Sequence, residues 1–294
     1  MALHHSRCTR RIFGLPLVRV SAGTLRILSD IHYGDRASRV DQLQQLRPLL
    51  EGVEHAVLNG DTLDTRPGPL PSHTAECRSE VQAFFPAQTS RTTFLSGNHD
   101  ADFSPEHTLD LNHGEIFVVH GDVFFDNIVP WSQDAKLIER RLALERQRRL
   151  SSAPETLEER LALFRNVAAS IPQRHQSERN RLKYALRYFA DTVWPPARTF
   201  RVIQAWRLAP AHAAETARIH RPAARFVVSG HTHRPGIWRH ASGVTVINTG
   251  SFCPPLGGTV VDVCEGKLLV HEVNFQRGDF RLGRRLAEFP LARP

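Results

Sequence analysis

Five short apolar runs in this sequence each end, within two residues, in a compact polar cluster, and this restricts the fold more than any other feature. Leu25 to Leu28 leads into Asp30-Ile31-His32, and Ala56 to Leu58 into Gly60-Asp61-Thr62-Leu63-Asp64. Thr92 to Leu95 leads into Gly97-Asn98-His99-Asp100, and Ile116 to Val119 into His120-Gly121-Asp122. Phe226-Val227-Val228 leads into Gly230-His231-Thr232-His233. Runs of this length, rich in β-branched residues and bounded by Gly and polar residues, read as strands. Helical patterns alternate with them in the first half, the signature of an α/β fold in which helices cover sheets. The ligand crevice of such a sheet lies at the carboxyl ends of its strands, so the five clusters are expected to converge on one edge.

The strand pattern resumes late, with Val244 to Ile247, Thr259 to Val263 and Leu268 to Val273 separated by short Gly-containing turns, as in a meander. Between the two halves, Trp131 to Ile219 is different in kind. Ser152-Ala153-Pro154-Glu155 reads as a helix start, followed by Leu157, Leu161, Phe164 and Ala168 at helical spacing. Leu182, Ala185, Leu186 and Phe189 repeat that spacing after Pro172, and Pro195-Pro196 is expected to stop the second helix. The organisation predicted is an N-terminal extension at 1–24, a discontinuous α/β sandwich at 25–130 and 220–275, a helical insertion at 131–219 and a C-terminal tail at 276–294.

Charge is partitioned along the same lines. The 294 residues hold 38 Lys and Arg against 30 Asp and Glu, a formal +8 that calls for a polyanionic partner. The insertion alone holds 17 basic and 9 acidic residues, and the remainder balances at 21 of each. The pattern therefore assigns chemistry to the sandwich and the choice of substrate, anionic membrane face or nucleic acid to the basic helices. Cys8, Cys77, Cys253 and Cys264 show neither the spacing of a zinc site nor the density of a disulfide framework. No apolar run approaches the ~18–20 residues of a membrane span. Arg10 to Val18 imitates a signal peptide, but Pro16 and Arg19 interrupt it. A cytoplasmic location is expected, with peripheral contact at the inner face of a membrane as its variant.

The clustered residue types suit a pair of divalent metals: carboxylates from Asp30 and Asp61, an amide oxygen from Asn98, and imidazoles from His32, His120, His231 and His233. Mixed nitrogen and oxygen ligation without thiolate fits Mn, Fe, Zn or Mg. In an extended chain side chains repeat with period two, so Asp30 and His32, or His231 and His233, are expected to point the same way. Glycines at 60, 97, 121 and 230 fit tight turns near such a centre. Asn248-Thr249-Gly250-Ser251 reads equally as an added contact or an ordinary turn, and the remaining histidines carry no assignment.

The ordered set D-x-H, G-D-x-x-D, G-N-H-D, H-G-D and G-H-T-H resembles the calcineurin-like metallophosphoesterase superfamily, over about Leu25 to Pro130 and Arg225 to Val273. The resemblance implies a four-layer α/β/β/α sandwich carrying a helical insertion. It implies that Asp30, His32, Asp61 and His233 hold one metal, and that Asp61 bridges to a second held by Asn98, His120 and His231. Mn2+ is the first choice for both. His99 would then stabilise the transition state or protonate the leaving oxygen, Asp64 would orient it, and hydroxide held between the metals would attack phosphorus. His120-Gly121-Asp122 with Gly230 to Pro235 is most similar to the UDP-2,3-diacylglucosamine pyrophosphohydrolase branch, which also carries a helical insertion between these blocks. Members of that branch carry Arg where this chain has His99, and the insertion here is longer. On this basis Asp122, Arg234 and Asn98 are candidates for substrate contact, and the substrate is a phosphorylated small molecule or a lipid-linked phosphate. The alternatives are a soluble phosphodiesterase or nuclease with a nucleic-acid-binding insertion, and a non-catalytic metal-binding scaffold.

Overall fold

The computed structural model describes residues 23–149, 155–173 and 196–292. Its strands in chain order are β1 (Thr24–Leu28), β2 (Val53–Asn59), β3 (Arg91–Leu95), β4 (Thr108–Leu111), β5 (Ile116–Val119) and β6 (Phe226–Ser229). The remainder are β7 (Gly236–Arg239), β8 (Thr245–Asn248), β9 (Thr259–Cys264), β10 (Lys267–Gln276) and β11 (Asp279–Pro290). The helices are α1 (Arg47–Leu50), α2 (Pro71–Gln88), α3 (Ala135–Arg148), α4 (Leu157–Ala169) and α5 (Pro196–His220).

Period-two alternation builds the layers. Along β5, Ile116 and Val118 face the core between the sheets, whereas Phe117 and Val119 face the helices. Leu25 and Ile27 of β1 join the inner core, and Leu28 faces outward beneath α2. Burying a side chain of this size contributes about 1.5–3 kcal/mol relative to exposure. One sheet runs β11-β10-β9-β1-β2-β3 and the other β4-β5-β6-β8-β7. Val81, Phe84 and Phe85 of α2 cover the first, while Leu157 and Leu161 of α4 and Ala205, Ala213, Ala214 and Ala217 of α5 cover the second. The result is the four-layer α/β/β/α sandwich with a helical insertion.

Strands β1, β2 and β3 are mutually parallel, as are β5, β6 and β8. The five polar clusters and the Asn248 to Ser251 run therefore all lie at the carboxyl ends of parallel strands.

Two expectations change. The segment assigned as a C-terminal tail instead forms β11, returned by Arg277 and Gly278, both at positive φ, to pair antiparallel with β10. Two central residues at positive φ match the twist of a tight hairpin. Helix α4 starts not at Ser152 but after Thr156, which forms a capping box. Thr156 Oγ1 accepts from the Glu159 amide at 3.2 Å, and the Glu159 carboxylate accepts from the Thr156 amide at 2.9 Å. Pro196 opens α5, where a missing N–H costs nothing. The helix expected around Leu182 to Phe189, and the N-terminal extension up to residue 22, lie outside the described residues.

Candidate metal centre

All seven ligand candidates meet at the carboxyl edge, by a backbone route that period-two alternation does not describe. Asp30, His32, Asp61, His231 and His233 have φ of 53°, 50°, 52°, 67° and 56°, so each occupies the left-handed region and neither Asp-x-His nor His-x-His is extended. Such a conformation costs roughly 1–2 kcal/mol per residue, and Asp and His are among the non-glycine residues that tolerate it. Hydrogen bonds between the first two loops hold it, from the Asp30 amide to the Gly60 carbonyl at 3.1 Å and from the His32 amide to the Asp61 carbonyl at 3.0 Å. Packing is close enough that a Cβ on Gly230 would stand 2.0 Å from Asp30 Oδ2, and one on Gly97 2.1 Å from Asp61 Oδ1.

The ligand atoms form two groups joined through Asp61. In one, His233 Nε2 stands 3.1 Å from both Asp30 Oδ1 and His32 Nε2, and His32 Nε2 lies 3.8 Å from Asp61 Oδ2. In the other, His120 Nε2 is 3.2 Å from Asp61 Oδ2 and 3.3 Å from Asn98 Oδ1, with a His231 ring nitrogen within 4.8 Å of an Asp61 carboxylate oxygen and a His120 ring nitrogen. Ligands bonded to one ion at about 2.0–2.2 Å lie roughly 3–3.5 Å from one another. The separations therefore suit a cation in each group.

Hydrogen bonds behind the rings select the nitrogen that each presents. His120 Nδ1–H donates to the Asn59 carbonyl at 3.0 Å, which turns Nε2 toward Asp61. His231 Nε2–H donates to the Ile128 carbonyl at 2.9 Å, leaving Nδ1 as its ligand atom. Carbonyl acceptors of this kind fix the tautomer and orientation of metal-ligating histidines.

Electrostatics point the same way. Asp30 and Asp61 are 0 % and 2 % exposed. Burial alone would raise the Asp61 carboxyl, but His120 and His99 hold it well below the usual carboxylate range. Burial alone would lower His120, yet Asp61 against it pushes the imidazole up to about 10. His231, buried and facing His120, is pushed down to about 4, and His32, buried and facing His99, likewise to about 4. Two buried carboxylates among rings that oppose each other's protonation form a site that favours positive charge concentrated on ions over charge spread on the rings.

His99 lies at the edge of this centre. Its Nδ1 lies 3.0 Å from Asp64 Oδ2 and 2.8 Å from Arg66 Nη2, while its backbone amide donates to Asp61 Oδ1 at 2.8 Å. Burial and the neighbouring Arg66 lower the imidazole, but Asp61 and Asp64 outweigh them and its proton affinity is raised. Arg66 grips Asp64 through Nε at 2.9 Å and Nη2 at 2.6 Å. Asp64 thus orients His99 and is itself held.

Two substrate-contact candidates stand elsewhere. Asp122 is fully buried, and both its oxygens are taken by Arg165 of α4. Arg234 donates to the Trp206 carbonyl at 3.2 Å and lies over the Trp206 and Trp238 rings. The third, Asn98, lines a cleft of about 150 Å³ beside the centre, with His99, Arg66 and the apolar side chains of Ile128, Ile138 and Ile171. The Asn248 to Ser251 run braces the loops. Asn248 Nδ2 donates to Thr232 Oγ1 at 3.1 Å, and Ser251 Oγ donates to the Asp30 carbonyl at 3.2 Å.

Sequence reasoning missed Asp100, Arg66 and Arg165. Asp100, wholly buried, accepts from the backbone amides of Asp61 at 3.1 Å, Thr62 at 2.7 Å and Gly97, and so ties the second loop to the third. Its place in the Gly97 to Asp100 cluster was the only signal. Arg165 lies on a helix 43 residues beyond Asp122 and gave none.

Among solved structures, Vps29 from Cryptosporidium parvum is 12 % identical, with 91 % of this chain and 98 % of that chain covered and a TM-score of 0.41. A dimetal phosphatase from Danio rerio is 14 % identical, with 85 % and 95 % covered and a TM-score of 0.43. A cold-active protein-tyrosine phosphatase of a psychrophilic Shewanella is 15 % identical, with 92 % and 83 % covered and a TM-score of 0.38. Likenesses this loose bear on neither activity nor partners. No curated protein matches the chain. The model of the calcineurin-like phosphoesterase family matches residues 24–235, well over half of the sequence and every one of the five polar clusters up to His233. This chain therefore belongs to the calcineurin-like phosphoesterase family.

Proposed function

We propose that this protein is an active phosphoesterase that cleaves a soluble phosphodiester with two divalent cations, Mn2+ being the first choice. The observation that carries this reading is the run of ligand groups around Asp61: Asp30, His32 and His233, then His32, Asp61 and His99, then Asp61, His120 and His231. Asp30, His32, Asp61 and His233 would hold one ion, and Asp61, Asn98, His120 and His231 the other. Bound there, the ions would supply a water of lowered pKa and positive charge for the phosphate oxygens.

The chain's own groups supply the rest. His99, held beside Asp64 and Arg66, is placed to give a proton from Nε2 to the leaving oxygen, a role worth ~10²–10⁴ in rate. Arg66 and Asp64 keep the ring from turning. The cleft beside Asn98 and His99 is smaller than the ~300–1,000 Å³ of sites that enclose a drug-sized ligand. It therefore accommodates the reacting phosphate and the first atoms of the leaving group. Its apolar walls favour, as a second reading, a lipid-linked phosphate such as a UDP-diacylglucosamine. Among the described residues no helix is long and apolar enough to cross a membrane.

The test is metal analysis of the purified protein, followed by hydrolysis of bis(p-nitrophenyl) phosphate, p-nitrophenyl phosphate, UDP-diacylglucosamine and single-stranded DNA with Mn2+. Asp61→Asn and His120→Asn should each abolish turnover. Undiminished activity in either would sink the two-metal reading, as metal-free protein under replete conditions would favour a scaffold. Salt-insensitive DNA binding would remove the nuclease alternative.

A further inference from the structure

The helical insertion supplies a wall of the cleft and also reaches behind the metal centre. Arg165, on α4, is 3 % exposed and contacts both sheets at once. Its Nη1 and Nη2 donate to the two oxygens of Asp122, two residues beyond His120 at the end of β5. Its Nε donates to Ser96 Oγ at 3.0 Å, two residues before Asn98 at the end of β3. β3 belongs to the six-stranded sheet and β5 to the five-stranded one. A single guanidinium therefore links the strand ends that carry His120 and Asn98, whose ligand atoms stand 3.3 Å apart.

Other contacts keep α4 in place. Leu163, Phe164, Val167 and Ala168 pack in one small core with Ala101, just past the third cluster, and Ile128, whose carbonyl holds His231. Beyond the helix, Gln173 Nε2 donates to the carbonyls of Asp64 and Arg66, both at 2.9 Å. The insertion thus reaches the loops of Asn98, His120 and His231, together with the Asp64 support of His99. It reaches neither Asp30 nor His32 by any such bond among the described residues.

We propose that Arg165 is a positioning residue for the second metal, and that the Asp122–Arg165–Ser96 bridge makes the insertion part of that ion's supporting shell. The inference rests on the two-metal reading above. A planar guanidinium can hold a carboxylate with two N–H groups and a hydroxyl with a third, which a Lys ammonium cannot do in the same geometry. Loss of an outer partner of this kind typically weakens metal affinity ~10–100-fold.

The experiment is Mn2+ titration calorimetry of the full-length, metal-stripped protein, with circular dichroism to follow folding. Wild type should bind two ions. Arg165→Lys should weaken one of them ~10–100-fold and leave the other within about threefold. The retained affinity should match that of His120→Asn, which keeps only the first site. Ser96→Ala, which leaves the Asp122 pair intact, should weaken the same ion to a smaller degree and serves if Arg165→Lys does not fold. Equal weakening of both ions, or unchanged affinities with only a lower melting temperature, would show that the bridge is merely structural and overturn the proposal. A wild type that takes up no metal would overturn the two-metal reading and this inference with it.

Discussion

Replacing Gly97 with Ala tests whether the closeness of the loops, more than the identity of the ligands alone, makes the site. The added Cβ would lie 2.1 Å from Asp61 Oδ1 and 2.5 Å from the Asp61 backbone nitrogen. Heavy atoms rest at about 3.5–4.0 Å, so one loop must retreat by about 1 Å or more. Asp61 cannot yield locally. Its amide is held by Asp100, its carbonyl accepts from the His32 amide at 3.0 Å, and its Oδ1 accepts from the His99 amide at 2.8 Å. The displacement is therefore passed to the whole centre. A misplacement of about 1 Å costs on the order of 10²-fold in rate, or about 2.7 kcal/mol of transition-state stabilisation. Overpacking should also cost about 1–3 kcal/mol of fold stability, too little to unfold a domain of ordinary stability. The assay is kcat/KM for bis(p-nitrophenyl) phosphate at saturating Mn2+, paired with a thermal melt. A folded G97A enzyme within about threefold of wild type would refute the reasoning.

Three further outcomes are expected. Asp64→Asn removes one of the two carboxylates that raise His99 and leaves Arg66 facing the ring. The imidazole then loses its proton at lower pH, so the alkaline limb of kcat/KM should move to lower pH, and an unmoved limb would exclude His99 as the acid. Asp262→Ala strips Arg26, 5 % exposed, of its bonds at 2.7 and 2.6 Å. It should cost about 3–5 kcal/mol in urea unfolding with unchanged metal stoichiometry, and lost metal instead would contradict placing this pair away from the site. Dialysis against a chelator should lower the melting temperature, since an ion at a hundredfold over its Kd contributes about 2.7 kcal/mol per site. A melting curve indifferent to chelation would contradict metals bound within the fold.

The site was legible because its residues interrupt apolar strands, and such interruptions are visible along the chain without knowledge of the fold. Its backbone geometry was not. Asp30 and His32 share a target because each is left-handed, and nothing in Asp-Ile-His distinguishes that from an extended tripeptide. The α/β sandwich was legible from apolar strand runs alternating with helical patterns, and its four layers from the family resemblance. β11 lacked such a signal, since Arg281, Arg284 and Arg285 place charge along a strand that stands at the edge of its sheet among the described residues. Asp122 was read as a substrate contact because His120-Gly121-Asp122 resembles a block of one branch of the family. Only the fold could show that Arg165, far along the chain, neutralises it and so takes it out of the cleft.

The place of β1 between β2 and β9 carries a consequence for the chain as it is made. Arg26 and Asp262, partners across β1 and β9, are 236 residues apart. At about 5–20 residues per second, β9 follows β1 from the ribosome by on the order of ten to fifty seconds. Throughout that interval one flank of a Leu-Arg-Ile-Leu strand is bare, the kind of edge that recruits other nascent chains. Arg26, deeply buried in the finished molecule, would stand on that edge as a charge in an otherwise apolar strand. The residue that later locks the sheet would thus serve first as its gatekeeper.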